Sequence, residues 1–417
     1  MNPIVYAIPV FMLTVAAEAL IAWRQKRAVY DIPDALTSLH AGVLSRLAEA
    51  FFRTLTFALY LFVWDNYRAT ELSPANPLVW VFALLAYDLA YYWTHRLGHE
   101  MNVMWASHVV HHSSEYFNLS TALRQSSTGV ILHWAILLLL AVAGVPPQVY
   151  GVVALIDLLY QYWVHTELIG KLGWLDRIMV TPSNHRVHHG QNDYCIDRNY
   201  GGIFIIWDRI FGTFVEERDH EKIVYGIRRP LQSYNALWAN VHIYADLLRQ
   251  SLAAPGVRAK LAVWLAPPSG WRGENLAPLA PATFKRFATG TPPGLRWYCA
   301  AQYAASVPFI THFVAVAPQL DMGARGLYAL GILATAMILG ALLEGREKAP
   351  VLELLRLSTL GVAFAALPLW FGFAAPFALK AAVVLGVGAS ALWLVLARPL
   401  RARKESRSET GPALTQP

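Results

Sequence analysis

The chain is poor in charge. Only 15% of its 417 residues are Asp, Glu, Lys or Arg, where an ordinary soluble domain carries about a quarter. Cysteine is scarcer still. Cys195 and Cys299 are the only two, and they lie far apart. That excludes a disulfide framework and a CxxC metal site. The basic n-region of a cleaved signal is missing, so Pro3–Trp23 is expected to remain as a membrane helix. No basic stripe with interleaved aromatics stands outside the apolar segments, so no nucleic-acid partner is expected. The net charge of +7 instead suits basic loops facing an anionic leaflet. No internal repeat at a solenoid period is present.

What fills the chain is apolar. Hydrophobic residues make up 56% of it, and they come in runs approaching the ~20 residues that span a bilayer. The runs are Pro3–Trp23, Leu47–Val63, Pro77–Tyr92, Thr128–Val145, Gln148–Val164, Trp297–Val316, Ala324–Leu343, Val351–Phe373 and Pro376–Ala397. The expected fold is an all-α integral membrane protein. It is a multi-span helical bundle of about nine spans with a cytoplasmic, helical, His-rich di-metal domain. Arg24, Lys26 and Arg27, then Arg346 and Lys348, then Arg398, Arg401, Arg403 and Lys404 all fall on one side of that topology. The positive-inside rule makes that side cytoplasmic. Residues 1–76 read as N-terminal membrane helices and 77–296 as the catalytic domain. Residues 297–403 read as C-terminal membrane helices and 404–417 as a disordered tail.

Nine of the fourteen histidines fall into three tight groups and a single. They read His95-x3-His99, His108-x2-His111-His112, His165 alone, and His185-x2-His188-His189. On a helix, residues at i, i+3 and i+4 share a face, so each group can aim two or three rings at one point. All four groups land at the cytoplasmic ends of the proposed spans. Nine donors exceed what one ion can use, because six-coordination is the limit and oxygen chemistry needs open positions. Two metals are therefore expected. Imidazole donors without thiolate suit iron, copper or zinc. The excess over structural zinc favours redox iron, although the sequence leaves zinc open.

Two acids stand close by. Asp88 lies seven residues before His95 on nearly the same helical face, within an apolar run. It can back His95 or a histidine on a neighbouring helix, or make a structural hydrogen bond between helices. Glu100 follows His99 and can back or bridge the metals, or be a solvated loop glutamate. Asp157 and Gln161 precede His165 at one-turn intervals and read as structural. His133, alone in an apolar run, reads as a helix-packing residue, and His40, His220, His242 and His312 have no partners at ligand spacing.

The order of these words is similar to that of the fatty acid hydroxylase and sterol desaturase superfamily. Further stretches resemble its alkylglycerol monooxygenase branch. They include Trp105–His108, His111–Glu115, Asn118–Ser126, Tyr162–Glu167, Thr181–Ser183, Tyr194–Phe214 and Val224–Gly226. The resemblance covers roughly 87–282. It implies a helical membrane enzyme with two iron ions near the cytoplasmic ends of its helices. All nine clustered histidines carry over as ligands, one or two of which can instead back the others, and Glu100 matches a glutamate of the branch. The implied activity is O2-dependent hydroxylation of a lipid C–H, with cleavage of the ether bond of alkylglycerols. The implied reductant is external, tetrahydrobiopterin in this branch and an electron-donor protein in others. A sterol, fatty acyl or carotenoid hydroxylase or desaturase shares the same metal site. A metal transporter is the non-enzymatic alternative, but it would place its histidines on broken helices at the midplane.

Overall fold

The computed structural model describes residues 3–268, 279 and 284–396. The expected tail lies outside the described residues. The described chain is helical, with isolated β-bridges and no longer strand. It divides into two compact units, Met1–Phe287 and Ala288–Pro417.

The first unit starts with three long helices, α1 (Pro3–Arg24), α2 (Ile32–Tyr67) and α3 (Pro77–Glu100). Local chemistry sets their starts. Asp31 caps α2 by accepting from Asp34 N, with Pro33 in the first turn. Asn76 accepts from Leu78 N at 3.0 Å ahead of Pro77. Met101 is extended, with φ −132° and ψ 125°. That residue ends α3 and turns the chain straight into α4 (Asn102–His112), which folds back along α3. Short helices follow, α5 (Leu119–Ala122), α6 (Gly129–Leu132) and α7 (Trp134–Val142). Gly144, at φ +88°, then supplies the left-handed turn into α8 (Pro147–Trp163). Tyr60, Ala83, Tyr87, Leu140, Val145, Val149 and Val153 form the core among α2, α3, α7 and α8. The Tyr60 hydroxyl donates to Val145 O at 2.9 Å inside it. The unit ends with α9 (Pro182–His188), α10 (Ile206–Ile210), α11 (Ala236–Ala253) and α12 (Gly256–Leu265).

Among the described residues, six helices are long and apolar enough to cross a membrane, not nine. They are α1, α2, and in the second unit Pro293–Gln319, Met322–Leu343, Ala349–Ala366 and Phe377–Leu396. The three other expected spans differ for physical reasons. Thr128–Val145 breaks at His133 into α6 and α7, of 4 and 9 residues. At 1.5 Å per residue, the 17 residues of α8 reach only about 26 Å of the ~30 Å hydrocarbon core. The helix α3 has 24 residues, but from its middle onward it carries Asp88, Thr94, His95, Arg96, His99 and Glu100. Conversely, the run Leu47–Val63 is part of a 36-residue helix. Its first half is buried in protein at Leu36, Leu39, Ala41, Val43 and Leu44, and its second half exposes Phe52, Leu55, Phe57 and Phe62.

The second unit is four helices, α13 (Pro293–Val316), α14 (Met322–Leu343), α15 (Ala349–Ala366) and α16 (Phe377–Leu396). A buried acid among apolar helices needs partners, and Glu353 has them. Tyr298 Oη donates to it at 2.6 Å and Arg356 at 2.6 and 2.7 Å. Arg356 goes on to Gln302 at 2.8 Å, and Gln302 to Ser390 at 2.7 Å.

Candidate metal centre

The four histidine words come together. The last turns of α3 supply His95 and His99, α4 supplies His108, His111 and His112, the end of α8 is followed by His165, and α9 with its C-cap supplies His185, His188 and His189. They sort into two groups, His95, His99, His108, His112 and His188, and then His111, His165, His185 and His189. Within each group one ring nitrogen per histidine lies within 4.8 Å of all the others. Adjacent helical residues point about 100° apart, so His111 and His112 feed different groups, and so do His188 and His189. The groups are therefore neighbours. The rings of His112 and His189 stack with centroids 4.5 Å apart.

The ring nitrogens face each other at short range. Nε2 separations are 3.0 Å for His95–His108 and His108–His112, 3.2 Å for His111–His165, 2.9 Å for His165–His185 and 3.2 Å for His185–His189. An imidazole nitrogen sits about 2.0–2.1 Å from a divalent first-row ion. Two such ligands at right angles are then about 2.8–3.0 Å apart, and at the tetrahedral angle about 3.3–3.4 Å. Three of the five spacings match right angles and the other two fall between the limits. The set fits six-coordinate ions with open positions better than closed tetrahedral zinc. His99 Nε2 and His188 Nε2 are buried with no protein partner, as expected of nitrogens with a metal to bind.

The opposite ring edge fixes the tautomer. Nδ1 of His95 meets the Tyr200 carbonyl at 2.8 Å, His111 that of Arg124 at 3.0 Å, His165 that of Gln161 at 2.8 Å, and His188 that of Arg198 at 2.9 Å. A carbonyl only accepts, so Nδ1 carries the proton and Nε2 keeps its lone pair for metal. His99 Nδ1 faces the Asp197 carboxylate at 3.4 Å. Burial also keeps the rings neutral. It pushes His108, His112, His185, His188 and His189 well below the ordinary imidazole value, and His111 down to about 4. Phe117 is fully buried and lies over His165 with centroids 5.5 Å apart.

Two of these carbonyls, those of Arg198 and Tyr200, are held by the segment 194–214, whose part sequence reasoning missed. Asp208 accepts from Tyr200 N at 2.7 Å, Gly201 N at 2.8 Å and Thr213 Oγ1 at 2.6 Å. Asn199 accepts from Val215 N at 2.8 Å and donates to Asn184 O at 3.0 Å and Val215 O at 2.8 Å. Asp197 and Asn199 both sit at φ +57°, a conformation that Asp and Asn tolerate better than most residues. The Asp-Arg-Asn triplet was the available signal. Arg124 was missed as well. It is 1% exposed, and its guanidinium donates to Val110 O at 2.9 Å and Ser113 Oγ at 2.9 Å, fixing the carbonyl that backs His111.

Asp88 has the partners of the structural of its two readings. It is fully buried and accepts from Ile203 N at 2.6 Å, Phe204 N at 3.1 Å and Trp207 Nε1 at 2.8 Å. The Tyr200 carbonyl takes the place beside His95 instead. Asp88 thus anchors the loop that presents this carbonyl. Glu100 lies outside both histidine groups and pairs with Arg96 at 3.0 Å on an exposed face. Gln161 donates to Asp157 at 2.5 Å and accepts from Tyr91 Oη at 2.7 Å, as a structural pair should. His133 differs from its packing reading, because its Nε2 is buried without a partner. His242 and His312 lie outside both groups.

Comparison with known proteins gives the same direction. Residues 80–213 match the fatty acid hydroxylase family. The chain is 40% identical over 357 residues to the Homo sapiens alkylglycerol monooxygenase, covering 84% of this chain and 80% of that one. It is 45% identical over 261 residues to the Xenopus tropicalis alkylglycerol monooxygenase, covering 63% and 58%. An ornithine lipid hydroxylase of Rhizobium tropici is 29% identical over 142 residues, covering 32% of this chain and 41% of that one. No solved structure matches the chain.

Proposed function

The chain belongs to the fatty acid hydroxylase family, among the alkylglycerol monooxygenases, and we propose that it is a di-iron enzyme acting on the ether bond of alkylglycerols. The reaction takes a lipid C–H, O2, two electrons and two protons to a C–OH and water. Hydroxylation of the carbon next to the ether oxygen gives a hemiacetal, which breaks into an aldehyde and glycerol. The electrons come from an external reductant, for which tetrahydrobiopterin is the candidate.

The observation that carries this reading is the pair of neighbouring imidazole groups, five donors and four. His95, His99, His108, His112 and His188 would hold one iron, and His111, His165, His185 and His189 the other. Iron, when bound, supplies the activation of O2. The residues do the rest. The Nδ1 contacts to backbone carbonyls hold the rings in place before metal arrives. Burial keeps protons off the nitrogens at neutral pH. Phe117 and the apolar core of Val187, Cys195, Ile223 and Tyr225 keep water from one side of the second group. Glu100 is the acid at the water-facing edge of the first group, where an external reductant can approach. Asp88 acts through the loop it anchors. The basic loops make this face cytoplasmic. With the metals at the ends of apolar helices, the lipid chain stays in the bilayer and the polar head near water.

Iron analysis of the purified protein in detergent tests this. The wild type should hold close to two iron atoms per chain and release a fatty aldehyde from an alkylglycerol, dependent on O2 and reduced pterin. His112→Ala and His189→Ala should each lose iron and activity. Full iron content in both variants ends the di-iron assignment. A normal iron content without aldehyde release moves the substrate to a sterol, carotenoid or fatty acyl chain.

A further inference from the structure

The helix pair α11–α12 carries an apolar face that none of the described residues covers. On α11, Ala236, Ala239, Asn240 and Leu247 are buried and form the inner face. Leu237, Val241, Leu248 and Leu252 are exposed. Their spacing of 4, 7 and 4 residues places them in one stripe about 60° wide. Asp246 and Arg249, an exposed ion pair at 3.2 Å, occupy the other flank. On α12, Val257, Leu261 and Leu265 are also exposed, at i, i+4 and i+8. Val257 is 75% and Leu252 66% exposed. Large aliphatic side chains in so ordered a stripe mark an interaction surface.

We propose that α11–α12 lies in the plane of the membrane interface, with this stripe set into the lipid and the polar flank in water. Three observations identify the occupant as bilayer lipid. First, the hairpin is continuous with the membrane-facing part of its own unit. Its inner face packs on α2, the long helix whose second half exposes Phe52, Leu55, Phe57 and Phe62. Tyr244 Oη bonds Thr128 Oγ1 at 2.9 Å and Asn240 accepts from Ser127 N at 2.8 Å, at the start of the apolar α6–α7 segment. Second, the charge is right. Arg258 and Lys260 flank the α12 stripe on its two sides, where long basic side chains lay their stems on lipid and put their heads among phosphates. Third, the stripe is centred about 130° from the inner face and about 120° from Asp246 and Arg249, so the three surfaces divide the helix circumference among them. One pose therefore satisfies all three surfaces, with protein on one side, lipid below and water above.

The placement matters for the site. The inner face of the hairpin supports α4, the helix of His108, His111 and His112. Ala106 packs with Leu247 and Val263, and Asn102 bonds Ala266 O and Val263 O at 2.9 and 2.8 Å. An in-plane hairpin would seat α4 at the depth of the lipid head groups. The inference does not depend on which metal, or which lipid substrate, the histidines serve.

Both native cysteines are buried, so single exposed cysteines can be labelled selectively. Leu252→Cys, Leu261→Cys and, on the polar flank, Arg249→Cys would carry an environment-sensitive fluorophore in the full chain, reconstituted in phosphatidylcholine nanodiscs. Doxyl-labelled lipid should quench positions 252 and 261 at least threefold more than 249, and aqueous iodide should show the reverse order. Iodide quenching of all three alike would overturn the proposal. So would protection of 252 and 261 from both quenchers, which would mean a protein covers the stripe.

Discussion

Replacing Asp88 with Asn separates a positioning role from a catalytic one. The carboxylate takes three donors, Ile203 N on Oδ1 and Phe204 N and Trp207 Nε1 on Oδ2. Hydrogen bonds to a charged group are worth about 1.5–3 kcal/mol each. Asparagine offers one oxygen. Set in the place of Oδ2, it keeps two bonds in weaker neutral form and turns its NH2 toward the Ile203 N–H. One bond is lost, and the Ile203 N–H and the new NH2 are both left unpaired, for a total of about 3 kcal/mol. In a unit of this size that is a drop in Tm of roughly 6–10 °C. The loop then loosens, and the Tyr200 carbonyl no longer fixes His95. Losing such a backing contact typically costs 10- to 100-fold in metal affinity. The assay is a thermal melt and an iron titration on Asp88→Asn in detergent. A catalytic acid would behave differently, with Tm and iron unchanged and turnover gone. That outcome would refute the argument for anchoring.

Three further perturbations follow from the same geometry. With metal removed, an unfolded histidine takes up a proton as pH falls below about 6.5, whereas the buried rings, His111 at about 4 among them, do not. The apo protein should therefore be most stable above about pH 7 and lose Tm steadily as pH drops from 6.5 toward 4; a flat Tm between pH 7 and 5 would contradict the buried, neutral state. Arg186 bonds Glu217 at 2.7 and 2.8 Å and the Thr166 and Ile169 carbonyls at 3.0 and 2.7 Å, so Arg186→Ala removes the ion pair of the part-buried Glu217 and frees the segment after His165. A loss of about 3–5 kcal/mol should appear in the melt, with iron lost first from the second group. A Cβ on Gly202 would lie 2.7 Å from Asp157 Oδ1, 2.8 Å from Asp88 Oδ1 and 2.9 Å from Tyr91 Cδ1; Gly202→Ala should lower Tm by more than an ordinary 1–3 kcal/mol overpacking, and a neutral result would show that the carboxylates can part.

The clustering of the nine histidines was legible in the sequence because its physics is local. The i, i+3, i+4 pattern fixes which rings share a helix face, and the ends of apolar runs fix their depth. The backing groups were not legible, because a backbone carbonyl has no sequence signature. Tyr200, Arg198, Arg124 and Gln161 contribute their main chains to the histidines, and any residue type could do so. For Tyr200 and Arg198 the information is carried by the residues that hold their segment still, Asp208, Asn199 and Asp88, whose hydrogen bonds go to that segment and not to a histidine ring. Asp88 stands out in the sequence as an acid in an apolar run near His95, but the run does not say which of its two readings, a histidine or a structural partner, it takes.

The span count has the same root. Hydropathy measures how much a segment avoids water and is silent on whether lipid or protein replaces it. The first half of α2 is buried by protein, and the broken α6–α7 segment and the 17-residue α8 pack into the core of α2 and α3. Leu140, Val145, Val149 and Val153 are apolar because they fill that core. A helix that stops short can end in a histidine, whereas one that crosses must first return its polar groups to water. His165 follows α8 directly, with its Nδ1 on the last turn at Gln161 O. The shortness of α8 is thus a condition for His165 to join the rings on α4 and α9. Extending α8 by one turn, with four residues inserted before Gln161, should move His165 by about 6 Å and abolish iron binding in the second group while leaving the five donors of the first in place.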